Sequence, residues 1–143
     1  MIVRMNESHV AQIAKMEKLC FSDPWSERSI ASELENSLSL WLVYEQEERV
    51  LGYIGSQSVP PESDMMNLAV LPEARKQGIA QALVCELIRL LHSEGSESLT
   101  LEVRVSNLPA ISLYTKLGFE MVGRRPGYYV NPKEDALIMR KEL

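Results

Sequence analysis

The spacing of apolar positions changes repeatedly along this chain, and each change marks a switch between short strand and helix. Ile2 to Met5 is a short strand candidate. Asn6 can cap a helix running through Val10, Ile13, Ala14 and Leu19, and Ser26 can cap a second through Ile30, Ala31 and Leu34. Leu40–Tyr44 and Val50–Gly55 flank the polar stretch Glu45 to Arg49, which reads as an antiparallel hairpin. Pro60-Pro61-Glu62-Ser63 then turns the chain into a strand over Asn67–Leu71, which Pro72-Glu73-Ala74 breaks. Ala80, Leu83, Val84, Leu87, Leu90 and Leu91 recur at helical spacing to about His92, where Gly95 provides a stop. Leu99, Leu101, Val103 and Val105 alternate with Thr100, Glu102 and Arg104, as in a half-buried strand. Asn107 and Pro109 suit a helix start, with Ile111, Tyr114 and Leu117 on one face and Gly118 at the end. Phe119–Arg125 and Ala136–Arg140 make a final strand pair, joined by the turn-rich stretch Pro126 to Lys133. The pattern predicts a mixed sheet with helices on its faces, and with no repeat or linker, residues 1–143 read as one domain.

One junction in this pattern carries chemistry. Arg75-Lys76-Gln77-Gly78-Ile79-Ala80 lies between an apolar strand and an amphipathic helix, so it opens that helix. A helix start leaves about four backbone N–H groups unpartnered and carries partial positive charge, which suits the pyrophosphate of a nucleotide-like cofactor. Gly78, lacking a Cβ, admits unusual dihedrals and close approach, while Arg75 and Lys76 add charge for further phosphates. The same spacing also describes an ordinary surface loop with a glycine before a helix.

Composition narrows the classes. At 143 residues with 45% hydrophobic content, the chain is long enough to bury a stable core, and no apolar run approaches the roughly 20 residues of a membrane span. The start, Met1-Ile2-Val3-Arg4-Met5, has no signal-peptide pattern, so a cytoplasmic protein is expected. Cys20 and Cys85 are far apart in apolar helical contexts and read as buried reduced thiols, while His9 and His92 read as solvent-side helix residues; no metal is expected. A net charge of −5 argues against nucleic-acid binding and is compatible with a basic substrate or partner. Glu102 and Tyr114 become interesting if the phosphate cradle is real. Otherwise Glu102 is a solvated carboxylate, Tyr114 a core aromatic near the start of its helix, and Asn107 a cap.

The strand, the R-x-x-G-x-A loop and its helix are followed by Leu101-Glu102-Val103-Arg104-Val105-Ser106-Asn107 and by Ala110–Phe119. Together they resemble the GNAT N-acetyltransferases over nearly the whole chain. More narrowly, Phe21-Ser22-Asp23-Pro24-Trp25-Ser26-Glu27, Tyr128-Tyr129 and Glu134–Met139 resemble the bacterial members that acetylate the N-terminus of a ribosomal protein. Ala80 departs from the glycine that many relatives carry there.

The resemblance implies an α/β (α+β) fold: a central mixed, mostly antiparallel sheet with helices on both faces and a splayed central strand pair. It implies acetyl-CoA as cosubstrate, its pantetheine arm running beside Leu68, Ala69 and Val70. The amides of Lys76, Gln77, Gly78, Ile79, Ala80 and Gln81 would hold the pyrophosphate, and Asn107 would reach the pantetheine. By the same resemblance Glu102 is the general base, directly or through a water, Tyr114 protonates the departing thiolate, and an N–H near Val70 polarises the thioester carbonyl. Pro24-Trp25 and Tyr128-Tyr129 would border the peptide cleft. The implied substrate is the N-terminal alanine of small-subunit ribosomal protein number eighteen, with basic residues following. Two other readings stay open from sequence: a GNAT enzyme of a small amine such as a polyamine or aminoglycoside, and a non-catalytic acyl-CoA-binding module that needs neither Glu102 nor Tyr114.

Overall fold

Local chemistry sets the helix starts. The Asn6 side chain accepts the Ser8 N–H at 2.9 Å, and the His9 ring returns a bond to the Asn6 N–H at 3.0 Å, a reciprocal cap that begins α1 (Glu7–Cys20). Ser26 caps α2 (Glu27–Glu33) by accepting the Ser29 N–H at 3.1 Å. A computed structural model describes residues 1–143. Around these helices run β1 (Ile2–Arg4), β2 (Ser39–Gln46), β3 (Arg49–Val59), β4 (Glu62–Val70), α3 (Ile79–Ser93), β5 (Ser98–Arg104), α4 (Leu108–Lys116), β6 (Glu120–Val130) and β7 (Lys133–Glu142). No helix is long and apolar enough to cross a membrane.

The seven strands form one sheet in the order β1-β2-β3-β4-β5-β7-β6, and every neighbouring pair is antiparallel except β4–β5. Alternating side chains feed two cores. One packs α3 and Tyr114 of α4 against Leu42, Ile54, Leu99, Leu101 and Val103; the other packs α1 and α2 against Trp41, Val43, Tyr53 and Ala69. Helices therefore cover both faces, as the resemblance implied.

The parallel pair is short. Glu62, Ser63 and Asp64 match Ser98, Leu99 and Thr100, after which β4 runs on to Val70 and β5 to Arg104 without further pairing. The cause is visible on the other side of β4. Gly55 pairs with Asn67 and Ser56 with Met65, so Met66 is the extra residue of a β-bulge. A bulge bends its strand and increases its twist, and this one sits where β4 leaves β5.

Several sequence expectations are corrected. β4 begins at Glu62, within the stretch read as a turn, because the polar residues Glu62, Ser63 and Asp64 pair with both neighbours. β6 and β7 run to Val130 and from Lys133, so only Asn131 and Pro132 separate them; irregular pairing between Arg125 and Tyr129 absorbs Pro126 and Gly127 within β6. Tyr114 lies in the last turn of α4 rather than near its start. Leu19 is exposed, and Glu17 takes the inward position on α1 instead. His9 is buried against Glu45, with Nε2 to Oε2 at 2.8 Å, because the cap draws its ring under the helix start. Neither cysteine is buried: Cys20 is half-buried at the end of α1, and Cys85 is exposed because the inward face of α3 is Ile79, Leu83, Val84, Leu87 and Leu91.

Candidate active site

The divergence of β4 from β5 leaves a V-shaped gap in the sheet, and the chemistry-bearing residues collect along it. Its first wall is the second half of β4. The Leu71 N–H bonds to Leu51 of β3 at 2.9 Å. By antiparallel alternation the backbone groups of Ala69 also face β3, while those of Leu68 and Val70 face the gap. The Val70 carbonyl is already taken by Arg75 Nε at 3.1 Å. Its N–H and the polar groups of Leu68 are the ones available to a ligand lying in the gap.

At the wide end stands the start of α3. Lys76 has φ +64° and Gly78 φ +78°, so the loop coils left-handed twice before the helix begins. This turns successive amides towards one point, the arrangement of an anion-binding nest. No N–H from Lys76 to Gln81 donates to a backbone carbonyl, and no side chain caps the helix. A Cβ built on Gly78 would meet nothing within 4 Å, so the space before these amides is open. Six consecutive unpartnered donors at a helix N-terminus fit a pyrophosphate. The side chain of Arg75 departs from its sequence-based role. Rather than facing phosphates, it ties down the end of β4, with Nε on Val70 and Nη2 reaching Cys20 Sγ at 3.8 Å.

Glu102 and Tyr114 approach the gap from opposite sides. Leu101 and Val103 face the α3 core, so Glu102 projects from the face that carries α1 and α2. That half of β5 is open there, and the carboxylate keeps partial exposure. Arg125 Nε lies 3.6 Å from its Oε1, and the Tyr128 hydroxyl donates to Oε2 at 3.3 Å. Tyr114 belongs to the α3 side, 6% exposed, with its hydroxyl 3.8 Å from Sδ of Met65, the residue before the bulge. Burial pushes the Tyr114 phenol well above its ordinary range, with a smaller contribution from Tyr129. Asn107 is the cap of α4: its Oδ1 accepts the Ala110 N–H at 3.3 Å.

Further residues frame the Glu102 side. Arg104 donates to Glu134 at 3.1 Å and to the carbonyls of Pro132 and Asn131 at 2.9 and 3.3 Å, and its guanidinium covers the Tyr129 ring at 4.3 Å. Glu134 also accepts the Ser106 N–H at 2.8 Å, and these bonds hold its carboxyl below the usual range. The β6–β7 turn is thereby pinned to the end of β5. Burial, then Tyr128 and Glu102, raises the Tyr129 phenol to about 12. Sequence reasoning missed Arg104 and Arg125 because charged residues on an alternating strand read as a solvated face. Trp25 is half-buried, edge-on to Trp41 at 5.4 Å, so the loop between α1 and α2 is anchored through its second aromatic position.

Comparisons with known proteins agree with this geometry. The model of the acetyltransferase (GNAT) family matches residues 10–119. The [ribosomal protein bS18]-alanine N-acetyltransferase of Escherichia coli K12 is 38% identical over 127 residues, covering 87% of this chain and 84% of that protein. A crystal structure of the Escherichia coli ribosomal-protein-S18-alanine N-acetyltransferase superposes with a TM-score of 0.91 at 33% identity, covering 99% of this chain and 92% of that one. Arabidopsis thaliana NAA60, solved in complex with acetyl-CoA, shares the fold with a TM-score of 0.88 at 18% identity, over 100% of this chain and 98% of that one. With a splayed β4–β5 pair, a coiled amide cradle opening α3 and a family match over most of its length, this chain belongs to the GNAT acetyltransferase family.

Proposed function

We propose that this protein transfers acetyl from acetyl-CoA to the N-terminal α-amine of a protein, acting as a single cytoplasmic domain. Its substrate is the N-terminal alanine of ribosomal protein bS18. The observation that carries this reading is the position of Glu102: a partly exposed carboxylate beside the β4–β5 gap, with Arg125 and Tyr128 around it, on the open face of the sheet. The activity of the 38% identical Escherichia coli relative supports the choice of acceptor.

Acetyl-CoA supplies an activated thioester; the residues of this chain bind it, orient it and move the protons. The amides of Lys76, Gln77, Gly78, Ile79, Ala80 and Gln81 hold the pyrophosphate. Leu68 and Val70 pair through their backbones with the pantetheine arm, in place of the β5 neighbour they lack, while Ala69 contributes by packing under α1. The Val70 N–H faces the gap and polarises the acyl carbonyl. Asn107 spends its oxygen on the α4 cap, leaving its NH2 group for a pantetheine carbonyl.

The acceptor arrives as an ammonium, because an α-amine has a pKa of about 7.7 to 8.0. Glu102 takes one proton, directly or through one water, and the nitrogen lone pair attacks the carbonyl carbon. As the carbon–sulfur bond breaks, the departing sulfur carries the electron pair and takes a proton from the Tyr114 hydroxyl; the second proton, shed by the nitrogen as it becomes an amide, returns the phenol to its neutral form by way of water.

Tyr114→Phe should lower kcat by roughly a hundredfold, the lower end of general acid contributions, with acetyl-CoA affinity unchanged by calorimetry. Unchanged turnover would mean that water or another group protonates the sulfur. The pH profile checks the same assignment. Burial disfavours the phenolate, so the pKa is raised and the neutral acid persists below it. Tyr114 should then impose no fall in kcat as pH rises towards about 10, the ordinary tyrosine value.

The decisive assay mixes purified protein, acetyl-CoA and an Ala-Arg-initiated peptide, beside the same peptide with a blocked N-terminus. Thiol release with the acetyl group located on the free α-amine is expected. Cofactor binding without reaction on either peptide would overturn the acceptor assignment and direct attention to small amines.

A further inference from the structure

Glu17 takes no part in the chemistry above, yet it is fully buried at 0% exposure. All of its partners are neutral donors. The Trp25 N–H reaches Oε1 at 2.9 Å, the Asn67 amide reaches Oε2 at 2.9 Å, and the Tyr53 hydroxyl also donates to Oε2. A buried carboxylate without a cation is tolerated only when hydrogen bonds satisfy it, and a neutral acceptor of the same shape would meet these donors without the cost of desolvating a charge. Stability alone therefore gives little reason for a charge at this point of an otherwise apolar helix face.

The three donors come from three separate segments. Trp25 belongs to the loop between α1 and α2, Tyr53 to β3, and Asn67 to β4 at the residue before Leu68. Glu17 thus clamps the loop and the last turns of α1 to the part of β4 that has lost β5. The Arg75 tie runs alongside it, from Cys20 on α1 to the Val70 carbonyl. Both land on the same unpaired half-strand. Glu102 projects from the same face of the sheet. On this face the Trp25 loop is tied down on the β4 side, and Arg125 and Tyr128 stand beside Glu102 on the β5 side.

We infer that Glu17 is a positioning residue for the acceptor: it locks the α1–α2 loop against the free half of β4 and so fixes one wall of the channel leading to Glu102. The inference rests on the acetyl-transfer reading above. Its chemistry predicts which replacements work. Glutamine keeps the shape and can accept from Trp25 through its oxygen, while Asn67 flips its amide to face the new NH2 group. Leucine leaves the Trp25 N–H, the Asn67 amide and the Tyr53 hydroxyl without acceptors, and the loop shifts to find water.

The test measures KM and kcat for the Ala-Arg-initiated peptide, acetyl-CoA affinity by calorimetry, and hydrogen exchange at the Trp25 amide. E17L should raise the peptide KM by about tenfold, which corresponds to about 1.4 kcal/mol of lost acceptor binding. It should also speed exchange at Trp25, with acetyl-CoA affinity and kcat little changed, and E17Q should restore most of the KM. Should E17L not fold, N67A removes a single donor, and a smaller rise in the same KM is expected. A wild-type KM in both E17L and N67A overturns the inference, as does a parallel loss of kcat and cofactor affinity with the KM unmoved. Failure of the wild-type protein to acetylate the peptide at all is a different result, which overturns the acceptor reading itself.

Discussion

Glu102→Gln should lower kcat on a peptide α-amine by roughly a hundredfold to ten-thousandfold, the range that a positioned general base contributes. Glutamine is nearly isosteric and still accepts the Tyr128 hydroxyl, so the surroundings of the gap stay in place. What disappears is a group able to carry the ammonium proton away. The loss should be steepest near neutral pH, where an acceptor with a pKa of about 7.7 to 8.0 is mostly protonated, and should shrink as pH rises and the free amine becomes abundant. Stopped-flow or thiol-release assays across this range read it directly, with acetyl-CoA affinity as the control. Equal activity at neutral pH would remove Glu102 from the chemistry. Removing Arg125, 3.6 Å from the same carboxylate, would not mimic it, because that exposed pair is worth little beside a lost base.

Gly78→Glu should weaken acetyl-CoA binding by at least a hundredfold, read by calorimetry, with the fold retained. Two effects add. At φ +78° a side chain is strained by roughly 1–2 kcal/mol, and a carboxylate placed before the open amides meets the pyrophosphate as a like charge. Because a Cβ at this position touches nothing, the damage should fall on the ligand rather than the core. Gly78→Asn separates the two effects: asparagine tolerates left-handed backbone and carries no charge, so it should lose far less affinity. Normal affinity in Gly78→Glu would refute the cradle.

Periodicity made most of the fold legible, because the long elements bury one face. The α3 stripe, the β5 alternation and the cap at Asn107 all appear where spacing placed them. Strand ends were harder to read. Glu62 to Asp64 carry polar side chains beside two prolines, and only long-range pairing with Ser98 to Thr100 makes them strand. The candidate cradle was readable as a loop with a glycine between strand and helix, because that is a local feature. Its coiled backbone and open amides are not written in the residue types, and neither is Arg75 folding back onto Val70. Glu17 carries a signal in the sequence: it continues the Val10, Ile13, Ala14 spacing, so a charge stands on an apolar stripe. His9 reads as solvent-side because the partner that satisfies its buried ring, Glu45, lies 36 positions away.

Met66 gives the bulge a meaning beyond strand geometry. Deleting that one residue would set Asn67 directly after Met65 in the ladder with Gly55 and Ser56, leaving its amide on the Glu17 face and giving β4 a regular course along which pairing with β5 should continue. The sheet would then gain ladder bonds where it now has a gap. In this chain a single added amino acid marks the point at which a continuous sheet becomes a divided one.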